Sequence, residues 1–139
     1  MEIIDKEKDL TIDDIKIFEG VYGITLPTDF VEFYLKYNGA KTLENWSEGI
    51  DLNISFEGFL SIKYGAKTIE ENIELGLQKG MVIFAINAIG TLFFISMLTE
   101  SFGMIYSKRS NSEELRMHCE SFSQFLEGLN YIKVKYKLL

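Results

Sequence analysis

The sequence predicts an α+β fold in which a mostly antiparallel sheet is flanked by about four helices. Patterns of apolar residues follow one another in the order helix, helix, strands, helix, strands, helix. The strand groups have the short spacings of hairpins, which favours antiparallel pairing over the crossovers of a parallel sheet. The chain of 139 residues contains one proline and no internal repeat, so we expect a single domain over residues 1–139.

The first helix is predicted to begin after Thr11, whose hydroxyl suits the capping position. Asp13 and Asp14 follow in the first turn, where the positive end of the helix favours negative charge. Gly23 is expected to end this helix. Apolar residues recur between these limits with roughly helical spacing: Ile12, Ile15, Phe18 and Tyr22.

The second helix is the most informative part of the chain. Pro27 suits a first helical position because its missing N–H would be unpaired there, and Asp29 adds a negative charge at the positive helix end. Asn38-Gly39 is expected to end the helix, since glycine readily takes the left-handed conformation. Four aromatic side chains share one face, which we expect to be buried: Phe30, Phe33, Tyr34 and Tyr37.

The middle of the chain predicts two short strands and a third helix. Residues 51–56 alternate between polar and apolar side chains, and residues 59–62 form a second strand candidate. Thr68 and Glu71 have the spacing of a capping box, and Gly80 is expected to stop the helix that follows. The buried stripe of this helix is predicted to be Ile69, Ile73 and Leu77.

Residues 80–99 carry no charge and form a run of 20 residues, long enough to cross a bilayer as a helix. Two observations favour a buried hairpin instead. Asn87-Ala88-Ile89-Gly90 interrupts the run near its middle, and both flanks are rich in β-branched and aromatic residues. We therefore expect strands over residues 81–86 and 91–96.

The last helix is predicted to begin at Ser121, with Gln124 completing a second capping box. Its apolar stripe comprises Phe122, Phe125, Leu126 and Leu129. In the tail, residues 133–137 alternate between basic and apolar side chains, which favours a terminal edge strand over a frayed basic end.

The second helix resembles the characteristic motif of the SUKH immunity-protein superfamily, which also includes a yeast cell-wall assembly regulator. The resemblance covers about three quarters of the chain, and further pieces follow in the order typical of that superfamily. These pieces are Tyr22-Gly23, Gly58-Phe59-Leu60-Ser61-Ile62, Val82-Ile83-Phe84-Ala85, Gly103-Met104-Ile105-Tyr106 and Ser121-Phe122-Ser123-Gln124-Phe125-Leu126.

The resemblance implies a SUKH-like α+β fold and identifies scaffold residues, but it carries over no binding site. The scaffold positions are Leu26, Pro27, Phe30, Phe33, Asn38 and Gly39. The chain departs from the superfamily at residues 87–90, where an acid and a second glycine are common. A partner contact that relatives make at this turn is therefore not carried over to this chain.

The net charge of −7 is unevenly distributed, since residues 1–80 sum to −8 and residues 81–139 to +1. An acidic surface disfavours nucleic acid and anionic membranes and favours a basic protein partner. The alternative is that the acidity only confers solubility. The single cysteine, Cys119, cannot form an internal disulfide, and the first residues show no secretion signal. We expect a cytoplasmic protein.

The sequence offers no visible catalytic, cofactor or metal site. His118 and Cys119 are adjacent, but neighbouring side chains of an extended segment point to opposite faces and could hardly share a metal or a proton. A structural zinc site takes about four ligands, of which this pair would supply two. The common nucleophile, phosphate-binding and dinucleotide-binding motifs are missing from the sequence. An enzyme is therefore the least favoured class.

Residues 41–51 are predicted to form a loop that holds the only tryptophan of the chain among three acids. A large ring supplies contact area while carboxylates attract a basic partner, so this loop is the candidate partner-binding site. Its residues are Glu44, Trp46, Glu48 and Asp51. The alternative is that Trp46 folds back over the sheet as a lid.

The resemblance implies that this chain is a bacterial immunity protein, which would bind a cognate toxin and neutralise it by occlusion. The alternative is a protein–protein interaction module that regulates an endogenous partner, as in the eukaryotic members of the superfamily. Neither hypothesis needs a cofactor, and the sequence indicates neither the toxin nor the oligomeric state.

Overall fold

The computed structural model describes the backbone of residues 1–47 and 53–129, and the side chains of residues 1–42 and 54–129. The elements, in chain order, are α1 (Ile12–Tyr22), α2 (Thr28–Tyr37), β1 (Lys41–Ser47), β2 (Asn53–Gly58), α3 (Ile69–Asn72), α4 (Glu74–Leu77), β3 (Met81–Ile86), β4 (Thr91–Ser96), a 3₁₀ turn (Thr99–Ser101), β5 (Ile105–Arg109), β6 (Arg116–Cys119) and α5 over residues 122–129. The predicted tail strand over residues 133–137 lies outside the described residues.

The strands form two antiparallel sheets. One has four strands in the order β3-β4-β5-β6, and the other pairs β1 with β2. Every named strand pair is antiparallel, so the predicted α+β class is confirmed.

The uncharged run forms the hairpin of β3 and β4, as predicted. Asn87 fixes the turn, because its side-chain Oδ1 accepts from the Thr91 N–H at 2.8 Å while its Nδ2 donates to the Ser55 carbonyl at 3.0 Å. The second bond links this hairpin to β2. Within residues 1–47 and 53–129, no helix has the length and apolar character needed to span a membrane.

A layer of aromatic side chains joins α2 and α5 to the four-stranded sheet and to β2. Ring centroids lie 4.9 Å apart for Phe30 and Phe122, and 5.3 Å apart for Phe84 and Phe125, mostly in edge-to-face arrangements. We call this set the aromatic layer: Phe30, Phe33, Tyr34, Phe56, Phe59, Phe84, Phe93, Phe122 and Phe125. It forms the centre of the core.

The second helix matches its prediction with two differences. α2 begins at Thr28, so Pro27 occupies the capping position rather than the first helical one, and its carbonyl accepts from the Val31 N–H. Phe30, Phe33 and Tyr34 are buried, whereas Tyr37 is 39% exposed. The expectation that all four rings are buried is wrong for Tyr37, which lies in the last turn, beyond the part of the helix that the core covers.

Asn38 connects three segments of the chain. Its side-chain Nδ2 donates to the carbonyls of Lys63 at 2.7 Å and Lys8 at 3.2 Å, and its Oδ1 accepts from the Ile62 N–H at 2.9 Å. Its own carbonyl accepts from the Glu7 N–H at 2.9 Å. Asn38 is fully buried, so each bond replaces one that water can no longer supply. We call these contacts the Asn38 network.

Gly39 is needed directly after Asn38 for two reasons. Its φ of +63° lies in the left-handed region, as predicted for the end of this helix. A Cβ at this position would also lie 2.8 Å from Cγ of Glu7 and 3.0 Å from Cβ of Ser61. The close approach of the N-terminal segment thus requires glycine.

The first helix is confirmed, including its start. The Thr11 hydroxyl accepts from the Asp14 N–H, and the Asp14 carboxylate accepts from the Thr11 N–H. Ile15 and Phe18 are buried, whereas Ile12 is 50% exposed. Ile12 fits the helical spacing, but it is the first residue of the helix and lies away from the face that packs on the core.

The predicted helix after Thr68 is two short helices, α3 and α4, which meet at Ile73. The break coincides with tighter bonds, because the N–H groups of Ile73 and Gly76 donate three residues back instead of four. Buried Gly76 faces Phe94, where a Cβ would come within 2.7 Å of the ring. α4 therefore packs on the four-stranded sheet, on the face opposite the aromatic layer.

The strand predicted over residues 59–62 is also wrong. Ser61 makes only an isolated bridge to Thr68, while the N–H of Leu60 donates to the carbonyl of Phe84 and that of Ile62 to Asn38. The segment is extended and well bonded, but its partners belong to different elements. It crosses the end of the core and does not form a continuous hydrogen-bond ladder with a neighbouring strand.

The last helix begins as predicted at Ser121, whose hydroxyl accepts from the Gln124 N–H. The Gln124 side chain reaches one residue further back than a capping box requires and accepts from the Glu120 N–H. The carboxylate of Asp29 accepts from the N–H of Ser123 at 2.9 Å and from its hydroxyl at 3.0 Å. Asp29, predicted to support its own helix, therefore also supports the start of α5.

We predict that Asn38→Ala lowers the free energy of unfolding by about 3 kcal/mol, because three hydrogen bonds are lost and buried backbone groups remain unpaired. Urea denaturation measures this loss. Asn72→Ala is the matched control, since the half-buried Asn72 amide donates one bond, to the Thr68 carbonyl, and should cost about 1 kcal/mol or less. Equal losses in the two variants would contradict a central role for Asn38.

Candidate functional site

The segment predicted as a partner-binding loop is largely a strand. Residues Lys41–Ser47 form β1, in which Glu44 pairs with Phe56 and Trp46 pairs with Ile54 across the two-stranded sheet. The prediction of a loop is therefore wrong for these residues. Glu48 and Asp51 lie outside the described residues, so the structure describes only the backbone of Glu44 and Trp46 from the predicted site.

Contacts remote in sequence explain why β1 is a strand. Backbone bonds join its first residue, Lys41, to Ile4 and Asp5 of the N-terminal segment at 2.9 and 2.8 Å. Gly58 of β2 has a φ of +149° and approaches so closely that a Cβ would lie 2.6 Å from the Ala40 carbonyl oxygen. This strand depends on pairing on both sides, which the local pattern of residues 41–47 does not reveal.

A groove lies beside α1, and all of its lining residues belong to the acidic N-terminal half of the chain. Its volume is about 280 Å³, and its apolar wall includes two strongly exposed aliphatic side chains. The apolar lining residues are Ile17, Phe18, Val21, Tyr22 and Ile62, and the charged ones are Asp14, Lys63 and Glu70. We call this feature the α1 groove.

The charges at the α1 groove are partly paired. Lys63 Nζ lies 3.1 Å from the Asp14 carboxylate, and hydrogen bonds from the Thr11 N–H and then from Lys63 hold the pKa of Asp14 below its ordinary value. The Asp14 carboxylate correspondingly raises the pKa of Lys63. Burial, followed by the charge of Glu70, raises the pKa of the Tyr22 hydroxyl. Glu70 therefore leaves the groove net negative.

His118 and Cys119 have separate partners. His118 Nε2 lies 2.5 Å from the Ser107 hydroxyl, while the Cys119 thiol donates to the Ser121 carbonyl at 3.5 Å. In the part of the chain that the structure describes, no group of three or more His, Cys, Asp or Glu side chains is placed to hold a metal ion. The buried Ser107 and His118 link β5 to β6.

Fold and sequence together define a SUKH-type domain. The model of the SMI1 / KNR4 family (SUKH-1) matches residues 9–128, and the chain belongs to this family. This is a non-enzymatic family of immunity and regulatory proteins. Membership of the family implies a protein partner. Comparison with curated proteins found no match.

Sequence reasoning missed both the Asn38 network and the α1 groove. The sequence identifies Asn38 as part of a helix end and as a scaffold position, but nothing local indicates that its amide reaches residues 8, 62 and 63. Ile17 and Val21 fall outside the buried stripe of α1, and this was the one available signal for the groove.

We predict that Asp14→Asn is less stable than the wild type at neutral pH and that the difference disappears in acid. The folded-state pKa of Asp14 is lowered from 3.8, so its carboxylate stabilises the fold above that pH and loses this effect as the pH falls through the folded-state pKa. Thermal melts across the acid range measure the difference. Asp13→Asn, which removes an exposed charge from the same turn, is the control. A constant difference at all pH values would contradict this role.

Proposed function

We propose that this chain is a bacterial immunity protein that binds a cognate toxin and neutralises it by occlusion. Membership of the SUKH-1 family carries the proposal, since the family is of the immunity-protein type. The charge distribution supports it, because the −8 balance of residues 1–80 favours a basic protein. The proposed site of action is the cytoplasm of the producing cell.

The proposed mechanism is steric. The protein covers the toxin's active surface, and the acidic exterior accelerates the encounter and favours a basic partner over other proteins. No chemical step is needed, so a rigid surface suffices. The aromatic layer and the Asn38 network supply such rigidity, because they tie helices and strands from all parts of the described chain to one core.

We propose that the contact includes Glu44, Trp46, Glu48 and Asp51. Glu44 and Trp46 belong to β1, one of the two strands in the smaller sheet. Three acids within eight residues would attract lysine and arginine side chains of the toxin, and tryptophan is among the residues most enriched at the centres of protein interfaces.

Titration of the purified product of the neighbouring toxin gene tests this function. We expect the wild-type chain to abolish toxin activity at a molar ratio near one, because an occluded site cannot act. The triple variant Glu44→Lys, Glu48→Lys and Asp51→Lys should bind at least about tenfold more weakly, since three attractive charges become repulsive. Isothermal calorimetry measures the affinities.

The matched control reverses three exposed acids of the other half, Glu100, Glu120 and Glu127, which changes the net charge by the same amount. It should retain near wild-type binding. Lack of inhibition by the wild-type chain would contradict the proposed function. Full binding by the Glu44, Glu48 and Asp51 variant would place the interface elsewhere.

A further inference from the structure

Ile17 and Val21 are exposed on α1, beside the face of the helix that supplies its core contacts. They are 64% and 67% exposed, whereas Ile15 and Phe18 of the same helix are 3% and 6% exposed. The two aliphatic side chains lie one turn apart and are neighbours on the helix surface. They contribute little to folding, and β-branched residues are not the best helix formers.

Ile17 and Val21 line the α1 groove, which is concave. Buried Phe18 and Ile62 and half-buried Tyr22 line it together with Ile17 and Val21. Its volume of about 280 Å³ lies just below the usual range of ligand pockets, so it suits an inserted side chain better than a large cofactor. An exposed apolar surface beside such a recess is typical of an interaction site.

The groove is held in shape by the Asn38 network. The Ile62 N–H donates to Asn38 Oδ1 and the Lys63 carbonyl accepts from Asn38 Nδ2, which fixes one wall. The other wall is α1, which Glu19 ties to the next segment by accepting from the Leu26 N–H at 2.7 Å. A preformed site loses less entropy on binding than a mobile one.

The charge around the groove selects the partner. Lys63 is paired with Asp14, while exposed Glu70 contributes a further negative charge beside Tyr22. The charged side chains that line the groove, Asp14, Lys63 and Glu70, therefore sum to a net negative charge. An apolar recess with such a rim is complementary to an apolar side chain flanked by lysine or arginine.

We propose that the α1 groove is a docking site for the cognate toxin, which inserts an apolar side chain between α1 and Ile62, against Ile17 and Val21, and places a basic side chain near Glu70. This inference rests on the proposed function and adds a second contact to the one around β1. The recess is far smaller than a stable interface, which buries about 800 Å² per partner. It therefore acts as one anchor within a larger contact.

The test compares binding of the purified neighbouring toxin to wild type, to Ile17→Ala/Val21→Ala and to Ile12→Ala. The double variant should bind at least about tenfold more weakly, because the inserted apolar side chain of the toxin loses its contacts with Ile17 and Val21. Ile12 is exposed on the same helix but does not line the groove, so Ile12→Ala should stay within about twofold of wild type. Alanine is a strong helix former, so thermal melts should show all three proteins folded.

A second pair of variants tests the charge. Glu70→Lys should weaken binding by at least about threefold, whereas Glu127→Lys on α5 should not. Wild-type affinity in the Ile17/Val21 variant would overturn the inference and leave the proposed function intact. If the wild type does not bind the toxin, both fail. If the wild type alone dimerises and the double variant does not, a second copy occupies the groove, which also overturns the inference.

Discussion

The buried amide of Asn38 is the constraint on which the arrangement of the other elements depends. It ends α2, receives the N-terminal segment through its carbonyl, and holds residues 62 and 63 through its side chain. A buried amide of this kind is stabilising only when its partners are in place, so it specifies one arrangement of these segments. The Asn38-Gly39 end of α2 is therefore a tertiary junction as well as a helix end.

The aromatic layer connects this junction to the helices and strands that carry the protein surface. Phe30 and Phe33 connect α2 to α5 and to Phe59, which follows β2 in the chain, while Asp29 fixes the start of α5. The four-stranded sheet is covered on one face by this layer and on the other by α4. The described surfaces of α1 and α3 are thus presented by a rigid scaffold, which suits the binding function proposed for this protein.

The sequence predicts best those elements whose pattern is local. α2, α5 and the hairpin of β3 and β4 combine strong periodicity with clear start or stop residues, and the structure confirms them. β1 was missed because its bonds to Ile4 and Asp5 come from distant residues. The break at Ile73 arises where α4 packs against Phe94, a tertiary contact that the capping residues do not encode. The α1 groove needs residue 62 beside α1, an arrangement that depends on the Asn38 network and on the contact of Lys63 with Asp14.

We propose that this acidic, rigid scaffold binds a basic toxin through electrostatic and apolar contacts. The most direct measurement is the association rate constant with the neighbouring toxin at ionic strengths of about 10 mM and about 1 M, where the screening length falls from about 30 Å to about 3 Å. We expect the association rate constant to fall at least about tenfold at the higher ionic strength, while the complex persists through its apolar contacts. A rate that does not change with salt would contradict it.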